Sequence, residues 1–208
     1  MSGYIYLPVP TPEMITCAKE WVSGQRDKGK TPYKILLNPR TGVVKDIYRK
    51  FSGVLSEIHA KNKLYIIIHG AERGSSYVGA SRGAVCTLQN GINEWSGGTL
   101  KKYIPEEFAR HLFKERLTLD FKDLRLFACG SGLIPNKKDI DACFAARLAT
   151  SMRKLGYSNI QVTGYLGSVT TFYGTRQLRN GNYTESSHKG VTTSDGFVIP
   201  ASMAKVTF

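Results

Sequence analysis

The sequence is short of acids, of paired cysteines and of long apolar runs, and each shortage removes a class of protein. It has 16 Asp and Glu against 29 Lys and Arg, a formal net charge of +13. Such an excess favours a polyanionic partner: nucleic acid, an anionic membrane or a phosphorylated small molecule. No apolar run approaches the ~20 residues that cross a bilayer, so no membrane span is expected. The first eight residues, Met1–Pro8, have neither a basic start nor a long apolar centre. No signal peptide is therefore expected, and the expected location is cytoplasmic, or outside the cell by a signal-independent route. The four cysteines, Cys17, Cys86, Cys129 and Cys143, form no Cys-x-x-Cys pair, and no His stands at zinc-ligand spacing from them. That argues against a structural metal site, and it leaves four reduced thiols as the expected state. Internal repeats, low-complexity tracts and linkers are also missing, so residues 1–208 read as one domain.

What is present is a well-cored chain, 41% hydrophobic over 208 residues. Thr11-Pro12-Glu13 reads as a helix start, with Met14, Ile15, Ala18, Trp21 and Val22 on one face. Tyr33–Leu37 reads as a strand. Val44, Ile47, Tyr48, Phe51, Val54, Leu55 and Ile58 recur at helical spacing and predict an amphipathic helix. Leu64–Ile68 is a continuous β-rich run, the pattern of a central strand buried on both faces. Residues 70–98, rich in Gly and Ser, predict loops and a short hairpin. Pro105 opens a second helix with Phe108, Leu112 and Phe113 inward. Leu124–Ala128 is a second buried strand. Ile140, Phe144, Leu148, Met152 and Leu155 mark a third helix ended by Gly156, and Ile160–Gly164 is a strand. Turn residues at Gly174, Asn180-Gly181 and Asp195-Gly196 predict β-hairpins over the last 40 or so residues. The order argues for an α/β fold with a largely parallel sheet flanked by helices.

Ligand and catalytic sites in such sheets lie beyond the carboxyl ends of the strands. Two strand ends carry chemistry there. One ends at His69-Gly70, the other at Cys129-Gly130. In one parallel sheet both would emerge at the same edge. A thiol needs a nearby imidazole to raise its nucleophilicity, and the same imidazole can protonate a leaving amine. The oxyanion that forms needs preorganised N–H donors, and the amides of Gly70 and Cys129 are the natural candidates. Either residue alone is more often inert than functional. It is the pairing of two buried strand ends, each followed by glycine, that singles them out.

At these residues the sequence resembles the caspase-like cysteine peptidases of clan CD. Leu64–Gly70 matches their apolar strand ending in His-Gly, and Leu124–Gly132 their strand ending in Ala-Cys. A closer likeness is to the self-processing cysteine protease domains of MARTX and large clostridial toxins. It covers residues 30–208 in the order of elements, while only the two short blocks match in residue type. The resemblance implies a caspase-like fold, with residues 1–30 as an N-terminal helical extension and 168–208 as a C-terminal β-hairpin flap. It implies a cysteine endopeptidase acting on protein or peptide substrates through a His69–Cys129 dyad, toxin- or effector-like and active in a host cytosol. It further implies an allosteric activator, inositol hexakisphosphate, bound on a basic face beside the flap. Residues 147–208 hold seven Lys and Arg against two acids. Arg176, Arg179 and Lys189 in the expected flap are the nominated anion contacts. Leu7 is followed by Pro8, a poor bond for peptidases, so action on other proteins is expected rather than self-cleavage.

Other readings compete. Gly79-Ala80-Ser81-Arg82-Gly83 fits the serine-hydrolase nucleophile elbow, but the strand before and helix after that the elbow needs are not predicted. A nucleic-acid binder is allowed by charge. Against it, no zinc-finger, RNP-like or helix-turn-helix signature appears, and the aromatic residues fall at core spacings. A catalytically inactive caspase-like binding or adhesin module is the remaining alternative. His111 is expected at the surface, His188 in the flap, and Cys143 partly buried.

Overall fold

A computed structural model of the chain describes residues 3–37, 42–44, 47–49, 53–82, 85–89, 92–96, 98–138, 140–177, 183–194 and 196–208. Of residues 42–44, 48, 49, 82, 85–89, 92–96, 172–177 and 183–188 it describes the backbone alone. The chain begins with β1 (Gly3–Leu7), α1 (Pro12–Asp27), β2 (Lys34–Leu37), β3 (Gly42–Val44), β4 (Ile47–Arg49) and β5 (Lys63–Ile67). Four strands follow: β6 (Val78–Arg82), β7 (Val85–Gln89), β8 (Ile92–Ser96) and β9 (Thr99–Tyr103). Next come α2 (Pro105–Lys114), β10 (Asp123–Phe127), α3 (Phe144–Lys154) and β11 (Gln161–Tyr165). The chain closes with β12 (Ser168–Gln177), β13 (Tyr183–Thr192), β14 (Val198–Pro200) and β15 (Lys205–Thr207).

Eight strands make the main sheet, in the order β15-β11-β10-β5-β1-β2-β4-β3. Neighbours from β4 through β11 pair parallel, and only the edge strands β3 and β15 run antiparallel. The architecture is α/β, a mostly parallel sheet flanked by helices. Outside it, β6 pairs β9, β7 pairs β8, and β12-β13-β14 form a small antiparallel sheet.

Alternation sorts the strand residues onto two faces. Leu64, Ile66, Leu124, Leu126 and Val162 face α2 and α3, joining Phe108, Leu112, Phe144, Leu148 and Met152 in one core. Tyr65, Ile67, Phe127 and Tyr165 face α1, joining Met14, Ala18, Trp21 and Val22 in the other. The expected start of α1 is observed: Thr11 Oγ1 accepts from the Met14 amide at 3.2 Å, with Pro12 opening the helix. Among the described residues, no helix is long and apolar enough to cross a membrane.

Four expectations need correction. Residues 44, 47–49 and 53–58 form no helix, and Phe51 lies outside the described residues. Val44 closes β3, Ile47 lies in β4 opposite Ile35, and residues 54–57 form a turn. Ile47, Val54, Leu55 and Ile58 are still buried, and the last three pack under α2 through a turn held by Leu55 N–H to Glu115 O at 3.0 Å. Pairing with β2 outweighed the helical period. Phe113 is 48% exposed, since α2 has its buried stripe on Phe108, Ala109 and Leu112. Residues 1–30 are more than a helical extension: β1 sits inside the sheet between β2 and β5 and is fully buried. Ile140 precedes α3, which starts after Cys143.

The turn after β10 is held by a buried hydroxyl. Ser131 Oγ donates to Leu126 O at 3.0 Å and accepts from the Tyr165 amide at 3.0 Å. Ser131→Ala would leave both backbone groups without this partner. We expect a loss of about 1–3 kcal/mol in urea denaturation; an unchanged midpoint would show that the hydroxyl does not hold the turn.

Candidate functional site

β5 and β10 are adjacent and parallel, with Ile66 opposite Leu126 and Ile67 opposite Phe127. His69 and Cys129 each stand two residues beyond those last paired positions. Tyr65, Ile67 and Phe127 lie on the α1 face, and His69 meets α1 through Glu13. The loops after the two strands lie directly on each other. A Cβ on Gly70 would collide with the Cys129 carbonyl, and one on Gly130 with the carbonyls of Ala71 and Glu72. Gly130 also needs its positive φ of 56°. Glycine after each reactive residue is therefore what lets the two strand ends approach.

The backbone around both residues is fixed. His69 exchanges two hydrogen bonds with Gly79, each 3.0 Å. On the other strand, the Gly130 amide donates to Gly167 O and the Gly132 amide to Tyr165 O, both at 2.9 Å. The amides of Gly70 and Cys129, expected as oxyanion donors, donate to no backbone or side-chain acceptor among the described residues. Cys129 is a free, partly buried thiol. No hydrogen bond joins it to the His69 ring. Instead, His69 Nε2 lies 3.0 Å from Glu13 Oε2 in the first turn of α1. Thr11, Glu13, His69, Gly70, Ser75, Tyr77 and Leu100 line a cavity of about 260 Å³, and Cys129 is not among its lining residues.

A larger cavity, about 350 Å³, opens on the same face of the sheet. Trp21, Tyr33 and Tyr165 form its apolar wall, and Lys28, Lys30, Arg125, Lys189 and Lys205 outnumber its one carboxylate, Glu20. Lys189 Nζ donates to Tyr65 Oη at 2.7 Å and sits over the Trp21 and Tyr65 rings at 4.6 and 4.1 Å. Arg125 Nη1 donates to the same hydroxyl at 3.0 Å and pairs with Asp123 at 2.8 Å. Burial pushes the Tyr65 hydroxyl up to about 12. The Lys189 amine is pushed down to about 7, by burial first and then by Arg125, Lys63 and Lys205.

Of the three nominated anion contacts, Lys189 lines this cavity. Arg176 is opposite Thr184 in the β12–β13 ladder, with its side chain outside the described residues, and Arg179 lies outside them altogether. The sequence nominates none of Arg125, Lys28, Lys30, Lys205 and Glu13 as site residues, although Lys205 is one of the seven cations counted over 147–208. Arg125 did carry a signal: it is a charge between Leu124 and Leu126 in a strand read as buried. The others look like surface charge until the fold gathers them. His111 is not a bare surface residue, since its Nε2 meets Tyr6 Oη at 2.7 Å and its ring stacks on Phe108. Cys143 is buried at the α3 N-cap, and Cys17 is partly buried with its thiol pushed up by burial. The Cys86 and His188 side chains lie outside the described residues. Ser81 stands within β6 opposite Leu100, so no strand-to-helix elbow surrounds it.

No family model matches the chain, and no curated protein matches it.

The Lys189 amine ties stability to pH. Unfolded, it would hold its proton to about pH 10.4; folded, it releases it near 7. The unfolded state thus binds more protons between those values. The destabilisation is complete below pH 7 and fades as pH rises toward 10.4. The change in melting temperature on Lys189→Met is expected to be more favourable at pH 6 than at pH 10; a pH-independent difference would mean the amine is normally ionised.

Proposed function

We propose that the chain is a cysteine endopeptidase of caspase-like type that cleaves protein or peptide substrates with Cys129 and His69. The observation that carries this reading is the in-register pairing of β5 and β10, with His69 and Cys129 two residues beyond it and Gly70 against the Cys129 carbonyl. The Cys129 thiolate attacks the scissile carbonyl carbon, forming a C–S bond, and the Gly70 and Cys129 amides receive the oxyanion. As the C–N bond breaks, His69 gives a proton to the departing amine. Water then attacks the thioester, releasing the carboxylic acid and returning the thiol. The lack of a direct His69–Cys129 hydrogen bond suits a division of labour in which the imidazole serves the leaving group. In this reading the β12–β14 sheet serves as the flap, and the role is toxin- or effector-like.

The same reading assigns the larger cavity to a polyphosphate activator such as inositol hexakisphosphate. Five cations around a 350 Å³ space with one carboxylate support it, and Trp21 and Tyr65 hold Lys189 toward that space. Tyr65 and Arg125, which meet Lys189 there, lie on β5 and β10, the strands that lead to His69 and Cys129.

Intact mass spectrometry with a peptidyl electrophile tests the nucleophile, on wild type and Cys129→Ala, with and without inositol hexakisphosphate. The expected result is an adduct that requires Cys129 and forms faster with the polyphosphate. A folded protein that forms no adduct with several electrophiles would leave the inactive binding or adhesin module as the better reading.

The activator is tested by melting temperature. At a hundred times its dissociation constant a ligand contributes about 2.7 kcal/mol. Binding a polyanion favours the protonated Lys189, so above pH 7 it takes up a proton, and affinity should fall as pH rises from 6 to 8.5. No shift at low salt would remove the activator and leave the peptidase standing.

A further inference from the structure

We propose that the 260 Å³ cavity beside His69 receives the side chain that follows the scissile bond, and that it selects a large uncharged one, aromatic or branched aliphatic. This role rests on the peptidase reading, while the apolar cavity itself does not. Its place follows from the chemistry of the two reactive residues. His69 gives its proton to the departing amine, so the chain that leaves passes on the histidine's side of the cysteine. His69, Gly70 and Ala71 line the cavity, and Cys129 does not. The acyl half of a substrate, held at Cys129, therefore lies outside it, and the amine half lies toward it.

The walls set the preference. Tyr77 and Leu100, 39% and 48% exposed, flank this one space from two different elements. A single exposed apolar residue is ordinary surface; two that face a concave site next to a proton donor gain by burial against an apolar group. Glu13 is the one carboxylate among the described lining residues, and it already meets His69 Nε2 at 3.0 Å. An acidic substrate side chain would face that carboxylate. A basic one would compete with His69 for it and would approach Lys102, whose Nζ lies over the Tyr77 ring at 4.6 Å. The Thr11 and Ser75 hydroxyls are committed too, one to the Met14 amide and the other to the Tyr77 backbone. A neutral, apolar group is what these walls accommodate.

The cavity is formed before any substrate enters. Ser75 Oγ donates to the Tyr77 carbonyl and accepts from the Tyr77 amide at 3.4 Å, which holds the turn that presents the ring. Gly79 exchanges its two hydrogen bonds with His69, each 3.0 Å, and Leu100 stands opposite Ser81 in the β6–β9 ladder. The strand that supplies one wall is thus bonded to the residue that delivers the proton. Ser81, part of the elbow-like motif in the sequence, serves here as wall.

Amide spectra of the full chain decide the cavity's preference without any turnover. Phenylalanine amide carries the amine and the side chain of such a leaving group. In 1H–15N spectra it is expected to shift Ala71, Tyr77, Gly79 and Leu100, and to bind about tenfold more tightly than glycinamide or aspartic acid α-amide. Leu100→Asp, at an exposed position, should remove that difference, and Tyr77→Ser should lessen it. For turnover, a peptide library cut by the protein and read by mass spectrometry should show Phe, Tyr, Leu and Ile enriched directly after the cleaved bond. Leu100→Asp should lower kcat/KM about tenfold for a peptide with Phe there and leave one with Gly within about twofold. Glycine or an acid enriched at that position, or a profile unmoved by Leu100→Asp, overturns the proposal. So does phenylalanine amide that binds no better than glycinamide, or that shifts the walls of the basic cavity instead. If nothing is cleaved while phenylalanine amide binds as expected, the peptidase reading fails and the apolar site beside His69 stands.

Discussion

The register of β5 against β10 is the constraint on which the rest of this molecule depends. Five consecutive pairs, from Lys63 opposite Asp123 to Ile67 opposite Phe127, leave no slack in how far each strand projects. A slip of one residue would turn every side chain of one strand to the other face. Ile66 or Leu126 would leave the core under α2 and α3, and the end of the slipped strand would turn to the other face of the sheet. Burial of the two apolar runs thus protects the alignment of their ends. The Gly70 and Gly130 contacts extend that alignment past the last ladder bonds, where a sheet by itself no longer dictates the path of the chain.

The same pairing sets Tyr65 beside Arg125, and so decides the chemistry of the basic cavity. Tyr65 Oη accepts from both Arg125 and Lys189. Burial first, and then the cations gathered around it, push the Lys189 amine down, and an ammonium on a flexible stem loses its proton more readily than a guanidinium does. Negative charge entering such a cavity would relieve the repulsion among its cations. Its wall and the two reactive strand ends share β5 and β10 as a common floor.

Much of this was legible in the residues. The continuous apolar run Leu64–Ile68 and the buried stretch Leu124–Ala128 are β5 and β10, and the Thr11-Pro12 start of α1 and the Pro105 start of α2 are where the residues predict them. The errors have physical causes. The apolar spacing of 44–58 matches a helix, but the same residues can be buried as a short strand and a turn, and hydrogen bonds from β2 to β4 decided between them. β1 was overlooked although Tyr4-Ile5-Tyr6-Leu7 is as apolar as β5; it is short, and local pattern does not reveal that two strands will flank it.

Those limits divide what each level determined. The sequence by itself settled which segments must be buried and which reactive residues follow them, because burial and turn chemistry are local and leave a periodic or glycine-marked trace. Tertiary structure decided which residues meet. Glu13 reaches His69 across 56 positions, and Lys189 reaches Tyr65 across 124. Such contacts follow from the order of strands in the sheet, a choice made by packing whole elements against one another, and no local pattern records it.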